Sequence, residues 1–149
     1  MSDSHDAHEL SCAVHSAAEK YEITPNNNLA MVHIAQGGLP ASSFNELLLI
    51  TGFSKDELAA VLGISYKTVQ RYEKENKRFN ALNSEQLLKI ISLYQKAGEI
   101  FEDLNAFNRW LRKPAYGLGN EVPVSLLTTS GGIDLIREEL LRIEYGALA

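Results

Sequence analysis

The chain has 149 residues, 45% of them hydrophobic and 22% charged, with a formal net charge of −5 and a single cysteine. That length allows one domain or two small ones, and one cysteine rules out a disulfide framework and fits a reducing compartment. No apolar run approaches the roughly 20 residues needed to cross a bilayer, and MSDSHDAHEL is no secretory signal, so the expectation is a cytoplasmic protein with no membrane partner.

Apolar residues recur at helical spacing and sustained alternation at period two is absent, so the chain reads as all-α. Residues 7–22 form a helix with Leu10, Val14, Ala17 and Tyr21 on one side. His5, His8, Cys12 and His15 also share a side, a pattern that invites a metal reading. Residues ten apart stand about 15 Å apart along a helix axis, so no single ion takes all four. A pair such as His8 and Cys12 chelates weakly, and a polar helix face is the better reading. Thr24-Pro25-Asn26-Asn27-Asn28 then breaks the chain as a polar linker. A short helix at 29–36 ends at Gly37-Gly38, and Pro40 opens the next, through about Thr51, where Gly52 stops it. Ser54 caps another helix, with Glu57 completing a capping box, and Gly63 ends it. Ser65 caps a helix running to about Glu75. Asn76, Lys77 and Arg78 lead to Ser84, the expected cap of a longer helix through Ala97 or beyond. Residues 105–111 read as helix, 114–121 as a glycine-rich connector, and Pro123 as the start of a helical turn. Ser130 is the expected cap of the last helix, which runs to about Tyr145 before Gly146.

The strongest local signal is KDELAAVLGISYKTVQRYEK, residues 55–74. Two crossing helices need a small residue at their approach, a glycine at the turn and apolar residues facing inward from both. Ala59 and Gly63 supply the first two; Leu58, Leu62, Ile64, Val69 and Tyr72 supply the third. An ordinary helical hairpin can carry a glycine turn too, but the combined pattern favours a DNA-binding helix-turn-helix. With Val69 and Tyr72 inward, Ser65, Tyr66, Lys67, Gln70, Arg71 and Lys74 turn outward. Gln pairs bidentately with adenine and Arg or Lys with guanine, while Ser65, Thr68 and the first amides suit phosphate. Lys67, Gln70 and Arg71 are the leading readers. Lys77 and Arg78 follow as backbone contacts or as plain solvated charge. One such module contacts too little DNA for genomic specificity, so a homodimer on a palindromic operator is expected.

The charge is unevenly spread. Residues 45–96 carry eight basic and six acidic side chains, whereas the segments on both sides are acidic. A cationic DNA face is compatible with a negative total, and the acidic ends point to a second partner that is not nucleic acid.

Residues 101–149 read as a compact helical unit anchored by Phe107, Trp110, Leu111, Leu126, Leu127, Leu135, Leu140 and Ile143. The unit offers no nucleophile–base pair, phosphate-cradling loop or metal cluster, so it is a poor catalytic unit and a plausible docking surface. The adjacent acids Glu99, Glu102 and Asp103 read as solvated charge.

The spaced set Trp110-Leu111, Pro114, Leu118-Gly119, Pro123, Leu126-Leu127, Gly132, Leu140, Ile143 and Tyr145-Gly146 resembles the toxin-binding pattern of the Xre/MbcA/ParS antitoxins, which neutralise RES-domain toxins. The stretch TGFSKDELAAVLGISYKTVQRYEK resembles the same family's Xre-type reader. Together they cover roughly residues 29–149, and their joint order is more specific than either motif. Asn120 stands where the family usually has a second glycine, and asparagine tolerates the left-handed conformation.

The resemblance implies a helix-turn-helix DNA-binding domain followed by a small helical toxin-binding domain. Residues 1–28 are then an N-terminal helix and linker whose order is left open, 29–97 the Xre-like domain and 98–149 the toxin-binding domain. It implies the antitoxin of a type II pair, not itself an enzyme, with no catalytic residue, metal or cofactor. Such a protein blocks the cleft of an NAD-consuming or ADP-ribosylating RES-domain toxin and represses its own operon. The implied inhibitory element is Arg142, Glu144, Tyr145, Gly146, Ala147, Leu148 and Ala149. Either Glu144 or the Ala149 carboxylate is expected to pair with a toxin arginine. The alternative is a stand-alone dimeric transcriptional regulator whose C-terminal domain oligomerises or senses a ligand.

Overall fold

The computed structural model describes residues 2–24 and 27–148, with side chains over 7–24 and 27–146. The helices follow as α1 (Ser2–Lys20), α2 (Asn28–Gly37), α3 (Ser43–Thr51), α4 (Lys55–Val61), α5 (Tyr66–Glu75), α6 (Ala81–Ile100), α7 (Leu104–Leu111) and α8 (Ser130–Leu148). Short 3₁₀ turns at Tyr116–Leu118 and Pro123–Thr128 join α7 to α8. Among the described residues there is no strand, only two isolated bridges, Pro40 with Arg78 and Ala115 with Glu121. The fold is all-α, as the periodicity requires. No helix among the described residues is long and apolar enough to cross a membrane.

The molecule is built around α6. Leu87, Leu88, Ile90, Ile91, Leu93, Tyr94 and Ala97 are all buried, so this helix is apolar on several faces and is packed on several faces. It contacts α1, α2, α3, α7 and α8. Tyr94 sets the α6–α7 packing: its ring stands edge-on to Phe107 at 4.9 Å and its hydroxyl donates to Asn108 Oδ1. Burial pushes that phenol well above its ordinary pKa.

Helix α1 belongs to the same core. Val14, Ala17, Ala18 and Tyr21 are buried against α3, α6 and α7. The Tyr21 hydroxyl donates to Glu46 at 3.1 Å, and Lys20 reaches the same carboxylate at 2.6 Å. The residues before the linker thus extend the core instead of trailing from it. His8 and Cys12 lie 3.7 Å apart on its exposed face; His5 lies outside the described side chains.

Several expected boundaries move. Pro40 does not open α3; it pairs with Arg78 in a bridge, and its carbonyl accepts from both the Ser43 amide and hydroxyl before the helix begins. Ser84 does not cap α6. Asn80 does, accepting from the Asn83 amide at 2.8 Å, while the buried Ser84 hydroxyl accepts from the Leu39 amide. Thr129, not Ser130, holds the start of α8 through the Gly132 amide, and Ser130 donates to Glu85. Helix α8 continues through Gly146 to Leu148 instead of ending at Tyr145. Leu135 is about half exposed and no anchor; Ile133 and Ile136 take that place.

Candidate DNA-reading helix and partner-binding segment

Local chemistry fixes the reader. Ser54 accepts from the Glu57 amide at 3.1 Å and starts α4; Ser65 accepts from the Thr68 amide at 3.1 Å and starts α5. Gly63 sits between them at φ +71°, where a Cβ would be strained. Leu58, Ala59, Leu62 and Val69 are buried, with Ile64 and Tyr72 packed on their edge, so the inward set matches the pattern. Asn76 ends α5 in the left-handed conformation at φ +54°.

The outer face of α5 presents Lys67, Gln70, Arg71 and Lys74, all exposed. Arg71 and Lys77 lie 5.7 and 4.6 Å from the Tyr72 ring centroid, which steadies one cation on the helix and one just past its C-terminal end. The other predicted contacts have intramolecular duties. Ser65 and Thr68 bond to each other through their hydroxyls at 2.9 Å. Tyr66 is half buried against Phe44 at 5.9 Å, with Lys55 5.3 Å from its ring centroid. Arg78 donates to the Gly38 carbonyl at 2.7 Å and so holds the end of α2. This face can grip phosphate and read base edges.

Two ties join this reader to the C-terminal unit. Glu57 does not complete a capping box: its carboxylate faces Arg112 in a two-bond pair of 2.6 and 2.7 Å. That pair holds the Glu57 carboxyl below its usual pKa. The buried Gln86 amide donates to the carbonyls of Val61 at 3.0 Å, Thr128 at 3.0 Å and Leu127 at 3.3 Å. Its neighbour Asn83 donates to the Leu62 carbonyl at 2.9 Å and to Gln86. These amides satisfy acceptors that the last turn of α4 leaves open. The one available signal for Gln86 is a polar residue in register with Ile90, Leu93, Tyr94 and Ala97; the Arg112–Glu57 pairing has none.

In the C-terminal unit Phe107 and Leu111 are fully buried, and the half-buried Trp110 stacks on Phe107 at 6.0 Å and meets Phe101 at 6.0 Å. Gly119 and Asn120 take left-handed conformations at φ +66° and +64°, so asparagine serves where a glycine was expected. Burial along α8 falls from Ile136 and Leu140, fully enclosed, to Tyr145, 69% exposed, and Gly146. Arg142 is exposed and chelates Glu139 through Nε and Nη2. Glu144 is engaged by Lys96 at 3.0 Å, and the lysine pKa is raised by its bond to Glu99 and then by that to Glu144. The side chains of Ala147 and Leu148, and Ala149 as a whole, lie outside the described residues.

A two-helix reader with a cationic outer face, joined through α6 to a small helical unit with an exposed end, defines a helix-turn-helix DNA-binding protein with an appended protein-binding module. Two family models match in that order: the antitoxin Xre-like helix-turn-helix domain over residues 30–92, and the antitoxin Xre/MbcA/ParS C-terminal toxin-binding domain over residues 96–146. The chain is similar to an Antitoxin Xre of Photorhabdus laumondii, 25% identical over 117 residues, which span 78% of this chain and 79% of the relative. It is also similar to an Antitoxin Xre of Yersinia enterocolitica, 25% identical over 113 residues, or 75% and 76% of the two chains. The chain belongs to the Xre/MbcA/ParS antitoxin family, as the antitoxin of a toxin–antitoxin pair.

Proposed function

We propose that this antitoxin inhibits a RES-domain toxin that consumes NAD or transfers ADP-ribose, and represses its own operon in the cytoplasm as a homodimer on a palindromic operator. Residues 29–97 serve the DNA and 98–149 the toxin, with α6 crossing the division. On the DNA side Lys67, Gln70, Arg71 and Lys74 read the groove. Ser65 and Thr68 present amides and hydroxyls to phosphate, and Tyr66 offers its open edge.

The observation that carries the toxin side is the loss of burial along α8. A helix anchored at Ile136 and Leu140 delivers Arg142, Tyr145 and Gly146 beyond the core, in a stiff form that costs little to order on binding. Ala147 and Leu148 continue the same element toward the toxin cleft, and Ala149 belongs to the inhibitory segment. Glu144 exchanges Lys96 for a toxin arginine that otherwise grips a substrate phosphate, or the Ala149 carboxylate takes that arginine.

The test is co-expression with the RES-domain protein of the adjoining reading frame. Cells carrying that toxin alone should lose NAD, and the full chain should prevent it. A chain lacking residues 144–149 should fail to protect while still shifting operator DNA. Protection by the shortened chain would refute the assignment.

A further inference from the structure

Tyr116 is 92% exposed, more than any other large apolar or aromatic side chain among the described residues. Its backbone is nonetheless pinned on both sides. The Ala115 amide donates to the Glu121 carbonyl and the Asn120 amide to the Ala115 carbonyl, each at 3.0 Å, which closes the loop. Leu118 packs on the core behind it. Gly117 sits directly on Glu139: a Cβ there would stand 2.1 Å from the carboxylate. That carboxylate is the one Arg142 chelates, at 3.0 and 2.7 Å, and Tyr145 follows one turn later. The loop therefore abuts this edge of α8 at the buried Glu139, and the exposed Tyr116, Arg142 and Tyr145 stand on the two elements that meet there.

An exposed tyrosine on a pinned loop has the attributes of an interface anchor. It offers large amphipathic area, has two side-chain torsions to freeze, and sits on backbone that is already ordered. The toxin-binding family model spans every residue of this surface, and none of them belongs to the DNA-reading helix. We propose that Tyr116 is a toxin-contact residue, and that loop 115–121 and the Glu139–Arg142–Tyr145 edge form a single toxin-docking surface wider than the terminal segment. This rests on the reading of the chain as an inhibitor that binds its toxin directly.

The experiment titrates full-length Tyr116→Ala and Gly117→Ala, and the chain lacking 144–149, against the RES-domain toxin of the adjoining reading frame by calorimetry. Sedimentation without toxin reports self-association. Tyr116→Ala should bind about thirty-fold more weakly or worse, with its thermal transition unchanged because nothing buried is removed. Gly117→Ala, which must displace Glu139 from Arg142, should weaken binding several-fold with Tyr116 intact. If truncation abolishes binding while Tyr116→Ala stays within two-fold, the docking surface is overturned and the inhibitor reading stands. A Tyr116→Ala chain whose only change is from dimer to monomer overturns the docking surface equally. If the unsubstituted chain does not bind the toxin, the inhibitor reading fails and the surface with it.

Discussion

Replacing Gln86 tests whether the reader and the C-terminal unit are held by the amides of α6. In Gln86→Leu the side chain keeps much of its volume but donates nothing to the Val61, Leu127 and Thr128 carbonyls. Val61 and Leu127 are buried, so water does not replace the lost donor. Each orphaned acceptor costs about 1–3 kcal/mol, and Nε2 carries two hydrogens, so about 2–6 kcal/mol is at stake. Burying the leucine returns on the order of 1 kcal/mol, leaving a net loss of about 1–5 kcal/mol. Out of a total stability of about 5–15 kcal/mol, that is measurable. With a slope of about 2 kcal/mol per M, urea unfolding should show a midpoint lower by about 0.5–2.5 M with the slope unchanged. Gln86→Glu should be worse at neutral pH, since a carboxylate facing three carbonyls repels them, and should recover in part as acid protonates it. A Gln86→Leu chain with the unsubstituted midpoint would refute the reasoning.

Gly132→Ala places a Cβ 1.9 Å from the Leu126 carbonyl oxygen, which is backbone and cannot swing aside, so the melting temperature should fall by about 5–10 °C. Gly131→Ala next to it meets open space and should leave melting unchanged or raise it. Gln70→Ala should cost about 1–3 kcal/mol on the operator and little on unrelated DNA, whereas Lys67→Ala should also flatten the salt dependence. A mobility-shift titration that finds equal losses on both DNAs would remove Gln70 from the readers. The Glu57 carboxyl is held low chiefly by its bond to Arg112, so its contribution is complete above the ordinary carboxylate range, about pH 4–5, and disappears as pH falls through the lower folded value. Glu57→Gln should therefore flatten the acid limb of stability, modestly because the pair is partly exposed; denaturation midpoints at pH 7 and about pH 3.5 check this.

Legibility followed range. Ser54 and Ser65 were readable as caps because the amide each one binds lies three residues on, and Gly63 because its backbone angle is a local property. The outward set on α5 followed from helical geometry once Val69 was placed inside. Most of the failures involve a partner far along the chain. Ser84 looks like a cap, but Asn80 outcompetes it and Leu39 claims its hydroxyl. Glu57 has the right spacing for a capping box, yet Arg112, 55 residues away, offers a charged partner that a backbone amide cannot match. Leu135 and Ile136 are equally apolar, and only the angle at which α8 meets α6 decides which one is enclosed. Glycine at 146 suggested a stop, but a single helical glycine costs only about 1 kcal/mol and tolerates continuation.

The same long-range pairings decide how far the two functions are independent. The reader's first helix is fixed at its N-terminus by Arg112 and at its C-terminus by Gln86 and Asn83. Arg112 follows directly on α7, and Gln86 also holds Leu127 and Thr128, just before α8 begins. Helix α8 in turn lies along α6 and is tied to it by Lys96–Glu144, Lys89–Asp134 and Arg137–Ser92. Among the described residues the DNA-reading helix is joined to the proposed toxin-docking edge both through α6 and through the Glu57–Arg112 pair. Under the proposed function, a toxin that takes Glu144 from Lys96 would perturb the helix that positions α4. Whatever free energy this transfers to operator binding must be returned equally by operator to toxin, because coupling between two binding sites is reciprocal.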